Sequence, residues 1–180
     1  MLLDALGNLC GKRLSSTHSS SSFRVFQFGP LARRRKGWVG ESALHIICPW
    51  RITVNGRIVT GSRDGRFNRE GDLVLDWDQF TVQDSLQYRL LEEWLPRDPT
   101  KITVTKHGRI DLYAIDPSLN IIVEAATLGP IGDLQLDLSG GVRIDVMIDG
   151  TVWDQWRILN PRDLRRRHIC VDGPGQIVMD

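Results

Sequence analysis

Strict alternation of apolar and polar residues on both sides of one glycine-rich turn constrains this chain more than any other feature. Leu134, Leu136 and Leu138 alternate with Gln135 and Asp137, and Val142, Ile144, Val146 and Ile148 alternate with Arg143, Asp145 and Met147. A period of two puts one side of each run in a core and the other outside it, which is a strand signature. Ser139-Gly140-Gly141 joins the two runs, and facing decides their register. A two-residue loop would pair Leu138 with Arg143 and place an arginine on the apolar face. A three-residue loop pairs Leu138 with Val142 and Leu136 with Ile144, so this form is predicted, with a glycine at positive φ.

The rest of the chain extends this pattern. Residues 23–28 (FRVFQF) read as a strand ended by Gly29-Pro30, and residues 38–49 as a buried central strand. In the latter, Leu44, Ile46 and Cys48 face one way and Ala43, His45 and Ile47 the other. Asn55-Gly56 centres a hairpin of 50–53 with 57–60. Further strands are expected at 73–76, around Ile102 and Val104 against Ile110, Leu112 and Ala114, at 121–126 and at 168–171, with the Trp153–Ile158 segment between the last two. One amphipathic helix spans about 82–95, on the stripe Val82, Leu86, Leu90 and Trp94 widened by Leu91 and Leu95, with Thr81 and Asp84 as its capping box and Pro96 as its stop. A short N-terminal helix carries Leu2, Leu6 and Leu9, capped by Gly11. The fold class is therefore α+β, mainly antiparallel β-sheet, with residues 1–180 as a single domain. The Ser-rich run 15–22 reads as a flexible loop and the basic stretch at 33–36 as part of a long loop. FQFG and ALHIICPWRI in the first half are echoed by LQLDLSGG, VRIDVMI and WDQWRIL in the second, which suggests a loose internal duplication.

Charge narrows the partner classes. The net charge is +1, which removes the simplest argument for nucleic acid or a membrane surface. That balance conceals +6 in residues 1–36 and −6 in residues 37–161, a basic arm joined to an acidic body. No apolar run approaches the ~18 residues of a membrane span. Cys10, Cys48 and Cys170 are odd in number and widely spaced, which speaks against a disulfide framework and for the cytoplasm.

Chemistry-bearing residues are few. Trp50-Arg51-Ile52 and Trp156-Arg157-Ile158 repeat one tripeptide, and Trp and Arg are enriched in interface hot spots. Core packing is the competing reading for each Trp, because both sit between apolar neighbours. Trp153, in a loop-like stretch, is the better candidate for exposure. Asp64 lies in a polar loop that resembles a calcium site only superficially, since Arg66 and Arg69 occupy positions needing a ligand and a glycine. His45 with Cys48 and His168 with Cys170 could supply a zinc set, although i and i+3 on a strand face opposite ways. Asp76-Trp77-Asp78 could hold a divalent ion or face the following helix dipole. The basic runs 33–36 and 165–167 lack the interleaved aromatics of a single-strand binder. Nucleophile elbow, Walker loop and dinucleotide fingerprint are all missing, so no catalytic residue, metal or cofactor is assigned.

Residues 40–52 (GESALHIICPWRI), with Phe26-Gln27-Phe28-Gly29 upstream, resemble a family of small bacterial proteins of actinobacterial type that carry an ALHI-x-CPWRI segment and a later glycine-centred hairpin. That family has no established activity, so the resemblance implies no functional residues. In size and composition the chain is similar to immunity proteins, which neutralise a partner toxin. The expectation is a non-enzymatic protein-binding module of immunity or accessory type, using Trp50, Arg51, Trp153, Trp156, Arg157 and Asp64. Its expected partner is another protein, and the sequence leaves the oligomeric state open. The alternative is an enzyme, metal-dependent or otherwise, using the His and Cys pairs or the aspartates.

Overall fold

Residues 2–20, 23–35, 37–76, 80–101, 112–161, 168–173 and 176–179 are described in the computed structural model. Helix α1 (Leu2–Gly7) leads into strands β1 (Leu14–Ser20) and β2 (Phe23–Phe28), then a small hairpin of β3 (Ala32–Arg34) and β4 (Gly37–Val39). Strands β5 (Ser42–Ile46), β6 (Trp50–Val54) and β7 (Arg57–Gly61) precede helix α2 (Leu86–Trp94). After β8 (Tyr113–Ala114) come β9 (Val123–Leu128), β10 (Leu134–Leu138), β11 (Val142–Val146), β12 (Asp154–Leu159), β13 (His168–Asp172) and β14 (Gln176–Met179). The strands form a seven-stranded sheet ordered β14-β13-β12-β5-β2-β1-β8, a five-stranded sheet ordered β7-β6-β11-β10-β9, and the β3–β4 pair. One apolar core joins the two large sheets. Phe26, Phe28, Leu44, Ile46, Trp156 and Ile158 come from the first, and Ile52, Leu134, Leu136, Leu138, Ile144 and Val146 from the second. The class is the α+β, mainly antiparallel architecture that the alternation implies.

Local chemistry predicted several elements correctly. β10 and β11 pair Leu138 with Val142, Leu136 with Ile144 and Leu134 with Val146, across a three-residue loop in which Gly140 and Gly141 have φ of 74° and 72°. At the β6–β7 turn Asn55 and Gly56 both take positive φ, 49° and 78°, as a two-residue hairpin of this twist requires. In α1, Leu2 and Leu6 are buried and Leu9 follows them into the core, but the helix ends at Gly7, so Gly11, at φ 80° in the following turn, is not its cap.

Four expectations are corrected. The Ser-rich run is a strand over residues 14–20, paired with β2 on one side and β8 on the other. Ser15, Ser16 and Thr17 are fully buried. Small side chains suit this position because the backbone can bind their hydroxyls: Ser15 Oγ donates to Gly29 O, and Thr17 Oγ1 donates to Val25 O at 3.0 Å. The stretch read as a long loop at 33–36 holds the β3–β4 hairpin, with Arg33 lying over the Trp38 ring at 5.6 Å. Residues 73–76 make only an isolated bridge, Phe67 with Leu73, and Leu75 is exposed. Helix α2 starts at Leu86, because Ser85 is its N-cap and accepts from Tyr88 N–H at 3.2 Å. Thr81 and Asp84 instead close a short 3₁₀ turn, with Thr81 Oγ1 donating to Asp84 Oδ2 at 2.6 Å. The buried side of this segment is Gln87, Tyr88, Leu91 and Leu95: the two leucines that widen the stripe are core, whereas Leu86, Leu90 and Trp94 are half-buried. The residues Ile102, Val104, His107, Gly108 and Ile110, with Lys36, Trp77, Asp78 and the basic run 165–167, lie outside the described residues.

The duplication is realised in register. In chain order β1, β2, β5, β6 and β7 correspond to β9, β10, β11, β12 and β13. The run β13-β12-β5-β2-β1 in one sheet thus matches β7-β6-β11-β10-β9 in the other. Each half gives three strands to one sheet and sends its Trp-Arg-Ile strand across to the other. Trp50 pairs with Val146 and Ile52 with Ile144, while Trp156 pairs with Ile46 and Ile158 with Leu44. The basic stretch 1–36 is accordingly no separate arm: β1 and β2 are central members of the large sheet.

Candidate functional site

The structure separates the six sequence candidates. Trp50 and Trp156 are core residues, which corrects their assignment as surface anchors: Trp50 is 4% exposed and Trp156 0%. Trp50 meets Phe26 edge-on at 5.5 Å between ring centroids, and Trp156 Nε1 donates to Gly132 O at 2.8 Å. A buried indole needs such an acceptor, since its N–H would otherwise be left without a partner. Asp64 is engaged within its own turn, accepting from Gly61 N–H and Thr60 Oγ1, both at 2.9 Å. Arg51 is exposed, and its Nε donates to Asp145 Oδ2 at 2.8 Å. On the same outer face Arg143 Nε donates to Asp137 Oδ1 at 2.8 Å, and a shallow cleft beside that pair includes Glu124 and Thr53.

Trp153 and Arg157 remain, just before β12 and in its middle. Trp153 is 84% exposed and has φ 68°, a left-handed conformation costly for a bulky L-residue. Its carbonyl accepts from Gly173 N–H at 3.3 Å and from Gln155 Nε2 at 3.4 Å. Gly173 is required there, because a Cβ would lie 2.0 Å from Gly150 O. Val152, just before it, is also exposed.

Arg157 lies on the outer face of the large sheet, in a row that runs His18, Val25, His45, Arg157, Cys170 and Val178 across six strands. Of the four histidines in the chain, three are on this face: His18, His45 and His168. Arg157 Nη1 is 3.4 Å from His168 Nδ1, and its Nη2 is 3.5 Å from Asp154 Oδ2. The His45 ring is stacked on Phe23 at 5.1 Å. Burial, reinforced by Arg24, pulls the His18 pKa down to about 4. Burial, with Arg157, His18 and His168 nearby, does the same for His45. Both imidazoles are therefore neutral near pH 7. Ser16 Oγ, His18 Nδ1 and Arg157 Nε are buried without a hydrogen-bond partner.

The alternative metal set is not assembled. His45, His168 and Cys170 share the outer face, but among the described residues no three His, Cys, Asp or Glu side chains come together to hold an ion. Burial and the nearby Asp149 and Asp133 push the Cys48 thiol up to about 12, which keeps it protonated at neutral pH. Cys10, Cys48 and Cys170 form no disulfide.

Two features escaped sequence reading. His18 was hidden in the run read as loop, and only pairing with β2 shows its facing. Arg24, on the inner face of β2, is 96% buried. It contacts Gln87 Oε1, Thr17 Oγ1 at 3.4 Å and the Trp50 ring at 5.2 Å, with no carboxylate among the described residues. Burial lowers its pKa to about 10. Among the described residues no helix is long and apolar enough to cross a membrane. Comparison with known protein families, curated proteins and solved structures gave no match.

Proposed function

We propose that this chain is a non-enzymatic protein-binding module, of immunity or accessory type, that neutralises or assists a partner protein in the cytoplasm. One observation carries the reading: an almost fully exposed Trp153 held in a left-handed backbone conformation. Keeping a Trp there costs about 1 kcal/mol or more, and strain of this kind collects where a side chain must be displayed. Burying the indole against a partner would recover its apolar area, and Trp is among the commonest hot-spot residues. Exposed Val152 widens the apolar contact. Three cysteines without a disulfide fit a reducing compartment.

The immobilised chain, exposed to an extract of its host, should retain a protein in one-to-one stoichiometry. Trp153→Ala should weaken that retention at least tenfold, since a hot-spot truncation costs about 2 kcal/mol or more. A chain that elutes alone, or a variant that retains the partner as well as the parent does, overturns the reading.

A further inference from the structure

The internal duplication supplies a control for each outer-face residue. In the five-stranded sheet the row reads Thr127, Gln135, Asp145, Arg51 and Gly61. The matching row of the seven-stranded sheet reads His18, Val25, His45, Arg157 and Cys170. Arg51 and Arg157 are thus equivalent, and so are Asp145 and His45. Arg51 Nε donates to the carboxylate of Asp145 at 2.8 Å. The same nitrogen of Arg157 is buried and makes no hydrogen bond, because the residue across the strand pair is an imidazole. Among the described residues Arg157 forms its ion pair with Asp154, which stands 3.5 Å from Nη2 on the strand's own side. His168 lies 3.4 Å from Nη1, and Phe23 holds the plane of His45. About a quarter of the Arg157 side chain reaches solvent.

We infer that Arg157, with His45 and His168 beside it, is a binding site for a carboxylate group supplied from outside the chain. The incoming carboxylate does for Arg157 what Asp145 does for Arg51: it accepts from the guanidinium in a charge-assisted hydrogen bond. The imidazoles add N–H donors and set the width of the site, while the Phe23 ring walls one side. The carboxylate belongs either to a small organic acid or to an acidic segment of a protein. The site does not depend on Trp153 or on the protein-binding reading, because it is tested with defined probes and no partner.

The test follows the imidazole NMR signals of His45 and His168 in the full chain. Sodium acetate, a hexaglutamate peptide and sodium chloride are titrated separately at matched ionic strength. Saturable shifts with acetate assign a small acid as sufficient, and saturable shifts with the peptide alone assign an acidic segment; either supports the site. Arg157→Gln should weaken the response at least tenfold. His45→Asp, which installs the carboxylate found in the other sheet, should do the same at the His168 signal while the protein stays folded. That second variant keeps the test decisive if Arg157→Gln fails to fold. Shifts no larger than those from chloride, or responses unchanged in both variants, overturn the inference.

Discussion

Five strands of each large sheet follow one order and nearly one register, yet the outer faces differ in kind. The five-stranded sheet turns an ion-paired ladder to solvent, Arg51 with Asp145 and Arg143 with Asp137. The matching face of the seven-stranded sheet is covered: Val25, Gln27, Ala43 and Cys170 are buried on it. Water solvates exposed charge at little cost, so the first face can be strongly charged and still add little stability. A covered face cannot hold unpaired charge cheaply, which is why His18 and His45 are neutral near pH 7. The inner faces diverge too. Arg24 pairs with Ile46 at the position where its equivalent, Leu134, pairs with Val146. A buried guanidinium without a carboxylate is a poor contributor to stability. Duplication therefore preserved the backbone scheme, while side chains at matching positions took up different electrostatic roles.

The largest effects should come from the paired tryptophans. Trp156→Ala should cost about 3–5 kcal/mol in urea unfolding, from the lost packing and the cavity left behind, with the Gly132 carbonyl stranded as well. Trp50→Ala should fall in the same range. A cost for either below about 1 kcal/mol would break the equivalence of the two Trp-Arg-Ile strands.

Acid should separate the sheets next. His18 and His45 have folded pKa values of about 4 against an ordinary 6.5. The unfolded chain thus binds more protons between those limits, and stability rises with pH there. The contribution is whole above about pH 6.5 and is lost as pH falls toward 4, on the order of 3 kcal/mol for a buried histidine such as His18. The matching positions of the other sheet hold Thr127 and Asp145 in place of the two imidazoles. Unfolding measured from pH 7 to pH 4 should therefore flatten in a His18→Gln, His45→Gln double variant. An unchanged slope would place the acid sensitivity elsewhere.

The solvated ladder should give the smallest effect. A double-mutant cycle on Arg51 and Asp145 should return a coupling of about 0.2–1 kcal/mol that shrinks with added salt. A coupling several times larger would show that this face too is covered, removing the contrast between the sheets.

How much of this was legible follows from how local each signal is. The β10–β11 register, the Asn55-Gly56 turn and the Leu2-Leu6-Leu9 face rest on residues adjacent in sequence, and alternation or turn chemistry decides each one. The start of α2 was misplaced because two capping signals, Thr81 with Asp84 and then Ser85, compete within five residues; only the packing of Tyr88 against Tyr113 selects the second. Of the site residues, Trp153 stood out as a loop tryptophan, whereas nothing near Arg157 in the chain names the residue across from it. His45 precedes it by more than a hundred positions.

By itself, then, the sequence determined the strand periods, the tight turns, the antiparallel class and the echo between halves, because those depend on dihedral preferences and on which side of a strand is apolar. Tertiary structure alone decided that the serine run is a buried strand, that Trp50 and Trp156 are core, and that Arg51 meets a carboxylate where Arg157 meets an imidazole. Those outcomes depend on which strand lies alongside, and strand partners are chosen by burial summed over the whole chain rather than by any residue's neighbours in sequence.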